Sequence, residues 1–325
     1  MLKKSCKLRV ISAYLKQMKI DGKEFGSIFL APMAGVSEVG FRHACKMAGA
    51  DLTFTEMVSS KALMYESQKT KDLLITSELE DVKAVQLFGH EPEVMASACM
   101  REELQKFDLI DINFGCPAPK IVNNGDGSAL LKDLKLLEQI VGKCAKATNK
   151  PISCKFRLGY GANDNIAVQV AKICENAGAK MLTVHGRTRA QMYSGQVDLE
   201  SIAKVKASVK IPVVGNGDII NYESYLNMLK TGVDAVMIGR GALGDPNIFN
   251  RLKKQPETDL FELVKQHILE LSKHYNDRYI NVTMRKHLLW YVGGIKNATE
   301  IKQQIATSDN IQQSLKLVEQ LLKNK

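Results

Sequence analysis

The stretch ISCKFRLGYGANDNIAVQVAKICENAGAKMLTVH, residues 152–185, holds the pattern that decides the fold. It opens on a short run, 152–157, in which apolar and polar residues alternate with the period of two of a strand. Apolar residues at helical spacing follow over 166–177, and Gly178 stands where a helix stops. A second strand-like run, 180–185, closes the unit. Two strands joined through a helix pair in parallel by a right-handed crossover.

The same unit recurs on both sides. Strands are expected at 28–33, 52–57, 83–88, 109–114, 152–157, 180–185, 211–215 and 235–239, with helices at 38–48, 92–106, 128–147, 166–177 and 222–230 between them. Eight such strands predict an α/β fold of the (β/α)8 TIM-barrel type rather than an open doubly wound sheet, since no G-x-G-x-x-G fingerprint follows the first strand. After Pro246 the strand-like runs end. Leu260, Leu263, Val264, His267 and Leu271, then Ile311, Leu315, Val318 and Leu322, fall at helical spacing. The chain thus divides into a basic extension (1–17, expected to be dispensable), a barrel (18–250) and a small C-terminal helical domain (251–325).

Composition narrows the function classes. No apolar run approaches the roughly 18 residues of a membrane span, and the first twenty residues lack the apolar core of a signal peptide. The seven cysteines form no C-x-x-C pair and no framework spacing, which predicts reduced thiols in a cytoplasmic protein and no metal site. The net charge of +10 sits at the two ends: residues 1–25 hold seven Lys/Arg against two Asp/Glu, residues 251–325 hold thirteen against eight, and 25 of each sign remain between. A basic flank suits a polyanionic partner.

In such a barrel the chemistry lies at the C-terminal ends of the strands. Polar groups converge there from Gln86, Asn113, Lys155, Arg157, His185, Asn216, Asp218 and Arg240. Gly215-Asn216-Gly217-Asp218 and Gly239-Arg240-Gly241 are glycine turns after the seventh and eighth strands, where backbone N–H groups can approach a phosphate and Arg240 can clamp it. Lys155 and Arg157 share one strand face, and an inward lysine calls for an anion such as a reduced flavin. Gln86 and Asn113 present both donors and acceptors, suited to the edge of a flavin or a pyrimidine. Cys116 follows a strand end between Gly115 and Pro117. As a thiol it is a general acid; as a thiolate nucleophile it would need a base, for which His185 is the candidate. The other five histidines read as surface or packing residues.

Several segments together resemble the tRNA-dihydrouridine synthases: Leu30-Ala31-Pro32-Met33-Ala34-Gly35-Val36, Thr55-Glu56-Met57-Val58, Asp111-Ile112-Asn113-Phe114-Gly115-Cys116-Pro117, Val184-His185-Gly186-Arg187-Thr188-Arg189, Gly215-Asn216-Gly217-Asp218-Ile219 and Met237-Ile238-Gly239-Arg240-Gly241. Met284-Arg285-Lys286-His287 with Trp290-Tyr291 is similar to the bacterial B-type subgroup. The resemblance implies an FMN-bound barrel and a tRNA-binding helical domain in a monomer. Reduction of D-loop uridines would be driven by NADPH or NADH, with hydride from flavin N5 to C6 and a proton from Cys116 to C5. It implies Pro32, Met33, Ala34, Gln86, Lys155, His185, Asn216, Gly217, Asp218, Gly239 and Arg240 as flavin ligands, and Asn113, Arg157, Arg285 and Lys286 as substrate contacts. Phe114, Asp126 and Val292-Gly293-Gly294 depart from the family pattern. With every expected flavin ligand before Pro246, the helical tail is expected to be removable without loss of flavin. The alternative is a flavin barrel reductase acting on a small pyrimidine, which would not need the basic tail.

Overall fold

The structure is a computed structural model that describes residues 17–65 and 67–323. The expected extension 1–17 therefore lies, except for Gln17, outside the described residues. A hairpin of β1 (Met18–Ile20) and β2 (Lys23–Gly26) precedes eight strands: β3 (Ile28–Leu30), β4 (Leu52–Ser59), β5 (Lys83–Phe88), β6 (Leu109–Phe114), β7 (Ile152–Arg157), β8 (Met181–His185), β9 (Val213–Asn216) and β10 (Ala235–Ile238). These eight pair in parallel, in sequence order, and close where β10 meets β3. The expected (β/α)8 barrel is what forms, with boundaries shifted by a few residues. The helix expected over 128–147 is in fact a 3₁₀ segment, Gly127–Lys132, followed by Leu134–Ala147. Leu199–Ser208 is a crossover helix that the sequence reading passed over.

Period-two alternation separates the two faces of the wall. Ile110, Ile112, Phe114, Cys154, Phe156, Leu182 and Val184 face the outer helices and join one buried cluster. The alternate residues face the barrel interior. Toward the start of the strands these are Phe29, Leu52, Phe54, Leu109, Met181 and Met237, and the hairpin's Met18, Ile20 and Phe25 pack onto them as a plug. Toward the ends of the strands the interior becomes polar.

After Ile248–Lys253 come four helices: α1 (Leu260–Ser272), α2 (Asp277–Tyr291), α3 (Thr299–Thr307) and α4 (Ile311–Lys323). They share an apolar cluster that also takes in Val39 of the first barrel helix, Val39–Met47. The contact is close: a Cβ on Gly40 would lie 2.6 Å from the His267 ring. Glu38, the N-cap of that barrel helix, accepts from the backbone N–H of Gly40 and Phe41 and from His267 Nε2 at 2.6 Å. His267 Nδ1 meets the Tyr291 hydroxyl at 3.0 Å, and the His287 ring stands edge-on to His267. Among the described residues, Glu38, His267 and His287 are the one group of metal-type donor atoms gathered within 4.8 Å. The 2.6 Å separation is that of a hydrogen bond, and the group joins the tail to the barrel. Removing the tail would therefore expose this joint.

Candidate active site at the barrel rim

Strand register assembles the site. Gln86 lies beside Asp111, Asp111 beside Ser153, Asn113 beside Lys155, Arg157 beside His185, and His185 beside Asn216. All are interior positions, so the alternation that buries apolar residues outside stacks polar ones within. Lys155 Nζ donates to Asn216 Oδ1 at 3.3 Å, while Asn216 Nδ2 is anchored on Met237 O at 2.8 Å. Burial pulls Lys155 down to about 8, with neighbouring Arg157 adding to the effect and Asp111 opposing it. Burial, with the surrounding cations Lys155, Arg157, Arg187 and Arg240, holds His185 well below its ordinary value, so its ring is neutral. Thr183 Oγ1, beside Lys155 in the register, is buried with no hydrogen-bond partner.

Cys116 sits just beyond β6 and is partly buried. Its loop is held from three sides. Asn113 Oδ1 accepts from the backbone N–H of Gly115 at 3.0 Å and of Cys116 at 2.8 Å. Ser128 Oγ donates to Cys116 O at 2.8 Å, and Arg157 Nε donates to Gly115 O at 2.9 Å. Arg157 also donates to the carbonyls of Thr188 and Met192. The guanidinium expected to face a substrate thus braces the loops on either side, with its face toward the Tyr193 ring at 5.6 Å. Burial pushes the Cys116 thiol up. Among the described residues no hydrogen bond joins it to His185, and the arrangement favours the protonated thiol over the thiolate.

The two glycine turns touch. Gly217 has φ +131°, and a Cβ there would come within 2.5 Å of Val197 and 3.2 Å of His185; a Cβ on Gly241 would come within 2.2 Å of Ile219 O. Asp218, at φ +49°, takes a bidentate pair from buried Arg187 at 2.9 and 2.5 Å and a third bond from half-exposed Arg240 at 3.2 Å. Arg240 lies 4.7 Å from the Tyr193 ring centre. Gly239 backs onto Ala31 and Met33, so Pro32, Met33, Ala34, Gly217, Asp218, Gly239 and Arg240 occupy one side of the rim. The cations beside the two glycine turns and the orphaned Thr183 hydroxyl fit a phosphate-bearing, anionic ring ligand.

Arg285 and Lys286 lie away from this rim's interior, on α2. Arg285 donates to Ser308 O at 3.0 Å and Asp309 Oδ1 at 3.2 Å within the tail, and Lys286 donates to Gly35 O on the loop after β3. Asp126 forms a pair with His90 at 2.8 Å. The sequence reading missed Asp111, Ser153 and Arg187. A polar residue at every second position of β6 and β7 was the signal for the first two.

The dihydrouridine synthase (Dus) family profile matches residues 29–325. The chain is 37% identical over 288 residues to tRNA-dihydrouridine synthase B of Pseudomonas aeruginosa, spanning 85% of this chain and 87% of that one. It is 38% identical over 280 residues to the protein of that name from Pasteurella multocida, spanning 83% and 84%. Among solved structures, a variant of NCR from Zymomonas mobilis superposes with a TM-score of 0.53 at 16% identity, over 75% of this chain and 92% of that one. That likeness concerns the fold.

Proposed function

We propose that this chain, which belongs to the dihydrouridine synthase family, reduces D-loop uridines of tRNA with FMN as its bound cofactor and NADPH or NADH as reductant. The observation that carries the reading is the partly buried Cys116, on a loop whose backbone is held by Asn113, Ser128 and Arg157 over a polar barrel interior rich in cations.

FMN, when bound, would be the source of the hydride for C6 of the pyrimidine ring. The chain's own residues do the rest. The turns at Gly217-Asp218 and Gly239-Arg240 hold a phosphate, with Arg240 free to exchange its single bond to Asp218 for a phosphate oxygen. Lys155 and His185 would hold the ring, with Lys155 supplying a positive charge beside it. Gln86 and Asn113 present amides to the ring edges. Cys116 keeps a proton at Sγ for C5, because burial raises the thiol above neutral pH. Pulling the base out of the folded tRNA is a cost met by phosphate contacts along the basic tail, in the chain's monomeric, cytoplasmic form.

The test is Cys116→Ala. The variant is expected to purify with its flavin absorbance, to be reduced by NADPH at the wild-type rate, and to lose dihydrouridine formation by about a hundred-fold or more. Dihydrouridine formed at the wild-type rate removes the proton-donor role. A purified wild-type protein with neither visible flavin absorbance nor flavin uptake removes the cofactor.

A further inference from the structure

We infer that Asp111 is a positioning residue for the chemistry at Cys116, acting through a one-way chain of side-chain amides; the inference rests on the functional reading above. Asp111 is fully buried in the barrel interior and takes no part in that mechanism. Its Oδ1 accepts from Ser153 Oγ at 2.5 Å and its Oδ2 from Gln86 Nε2 at 2.7 Å. Gln86 Oε1 then accepts from Asn113 Nδ2 at 2.8 Å. Asn113 Oδ1, finally, accepts from the backbone N–H of Gly115 and Cys116.

The two ends of this chain are not reversible. A backbone N–H can only donate, and an ionised carboxylate can only accept. Each amide between them can in principle turn over, exchanging its oxygen for its NH₂. With both ends fixed, only one orientation of Gln86 and of Asn113 satisfies every group; turning either amide sets donor against donor or acceptor against acceptor. In a buried site each unmade bond of this kind costs more than the bond itself contributes. The carboxylate beneath the floor thus dictates which atom Asn113 turns toward the Cys116 loop. It equally dictates which amide edges Gln86 and Asn113 leave for a ligand.

Burial pushes the Asp111 carboxyl up to about 6, against the bonds from Gln86 and Ser153 and the charge of Lys155, and both of its oxygens are placed to accept, as a carboxylate's are. Lys155 is the charged group that faces it from the neighbouring strand.

Asp111→Leu tests the chain in the flavin-loaded protein. It removes both acceptor oxygens at nearly constant size, whereas an asparagine could still accept from Gln86 and donate to Ser153 Oγ. The readout is the rate at which iodoacetamide alkylates Cys116, followed by mass spectrometry of its peptide; the other described cysteines are buried. Alkylation is expected to accelerate by about ten-fold, the factor for one net hydrogen bond lost from the loop, with the flavin spectrum retained. Asn113→Ala should give a similar acceleration, and the double variant no more than the larger single effect, since both act along one chain. Dihydrouridine formation should fall in kcat with little change in KM for tRNA.

Unchanged alkylation in Asp111→Leu, or effects that add in the double variant, would overturn the proposal. Should Asp111→Leu fail to fold, Ser153→Ala takes one donor from the same carboxylate; a smaller acceleration supports the chain and none overturns it. Alkylation is read without turnover, so a wild-type protein inactive on tRNA would sink the functional reading and leave this test standing.

Discussion

Lys155 shows how a single position sets stability against binding. Its ammonium is pulled down to about 8 from 10.5, chiefly by burial. For a base whose folded value lies below its unfolded one, the penalty on the folded state builds as pH falls from 10.5 to about 8 and is fully present below that. At pH 7 the flavin-free protein therefore carries a cost of up to about 3 kcal/mol, an upper bound because the side chain is only partly shielded. Lys155→Met is expected to raise the melting temperature of the flavin-free protein at pH 7, with the gain shrinking toward pH 10, and to weaken flavin retention. Melting curves across that range check the sign; an unchanged curve with flavin fully retained would show that the lysine faces no anion. Gly217 carries a different constraint at the same scale. Its φ of +131° and the nearby Val197 leave no room for a Cβ, so Gly217→Ala should lose flavin before it loses its fold.

At the scale of elements, the plug and the tail helices divide the structural work. Phe25 of β2 is buried among Met18, Ile20 and the inward residues at the bottom of the barrel. Phe25→Ala is expected to cost about 3–5 kcal/mol, the usual loss for an aromatic truncated in a core; chemical denaturation measures it, with tRNA contacts untouched. On α2 the two basic neighbours differ. Asp309 is almost fully exposed, so its ion pair with Arg285 contributes little, and the bond to Ser308 O carries most of the effect. Arg285→Ala should cost about 1 kcal/mol of stability. Lys286 ties α2 to the loop after β3, which makes it the better candidate for passing tRNA contact to the rim. A Lys286→Ala variant of wild-type melting temperature with weaker tRNA binding supports that role; unchanged tRNA affinity removes it from the RNA footprint.

For the whole molecule, charge and cohesion pull apart. The basic excess of residues 251–325 suits a polyanion, and tRNA affinity is expected to fall by about ten-fold or more between roughly 50 and 200 mM salt, as counterion release requires. A salt-independent affinity would exclude phosphate contacts as its source. Deletion cannot test the same point. Val39, Gly40 and the Glu38–His267 bond pack the tail onto the first barrel helix, so removing residues 251–325 is expected to give aggregated protein without flavin. Recovery of a soluble, yellow barrel would show that the joint is dispensable.

What the sequence determined by itself follows from periodicity and turn chemistry, both local. Alternation at Ile152–Arg157 and Leu109–Phe114, helical spacing at Ala167–Asn176 and glycine at helix ends specify strand, helix and parallel order. The residues closing those strands already marked the rim where polar side chains gather. Side-chain partners depend instead on register between strands far apart in the chain. That Asp111 reaches Gln86 and Ser153, that Arg157 braces the Gly115 and Thr188 carbonyls, and that His267 closes on Glu38 across 229 residues are such outcomes. No spacing records them, because hydrogen bonds are chosen by three-dimensional proximity once barrel closure has set the stagger. The tertiary structure alone joined the tail to the barrel through the buried Glu38–His267 pair, since a buried carboxylate needs a partner that only the folded chain brings to it.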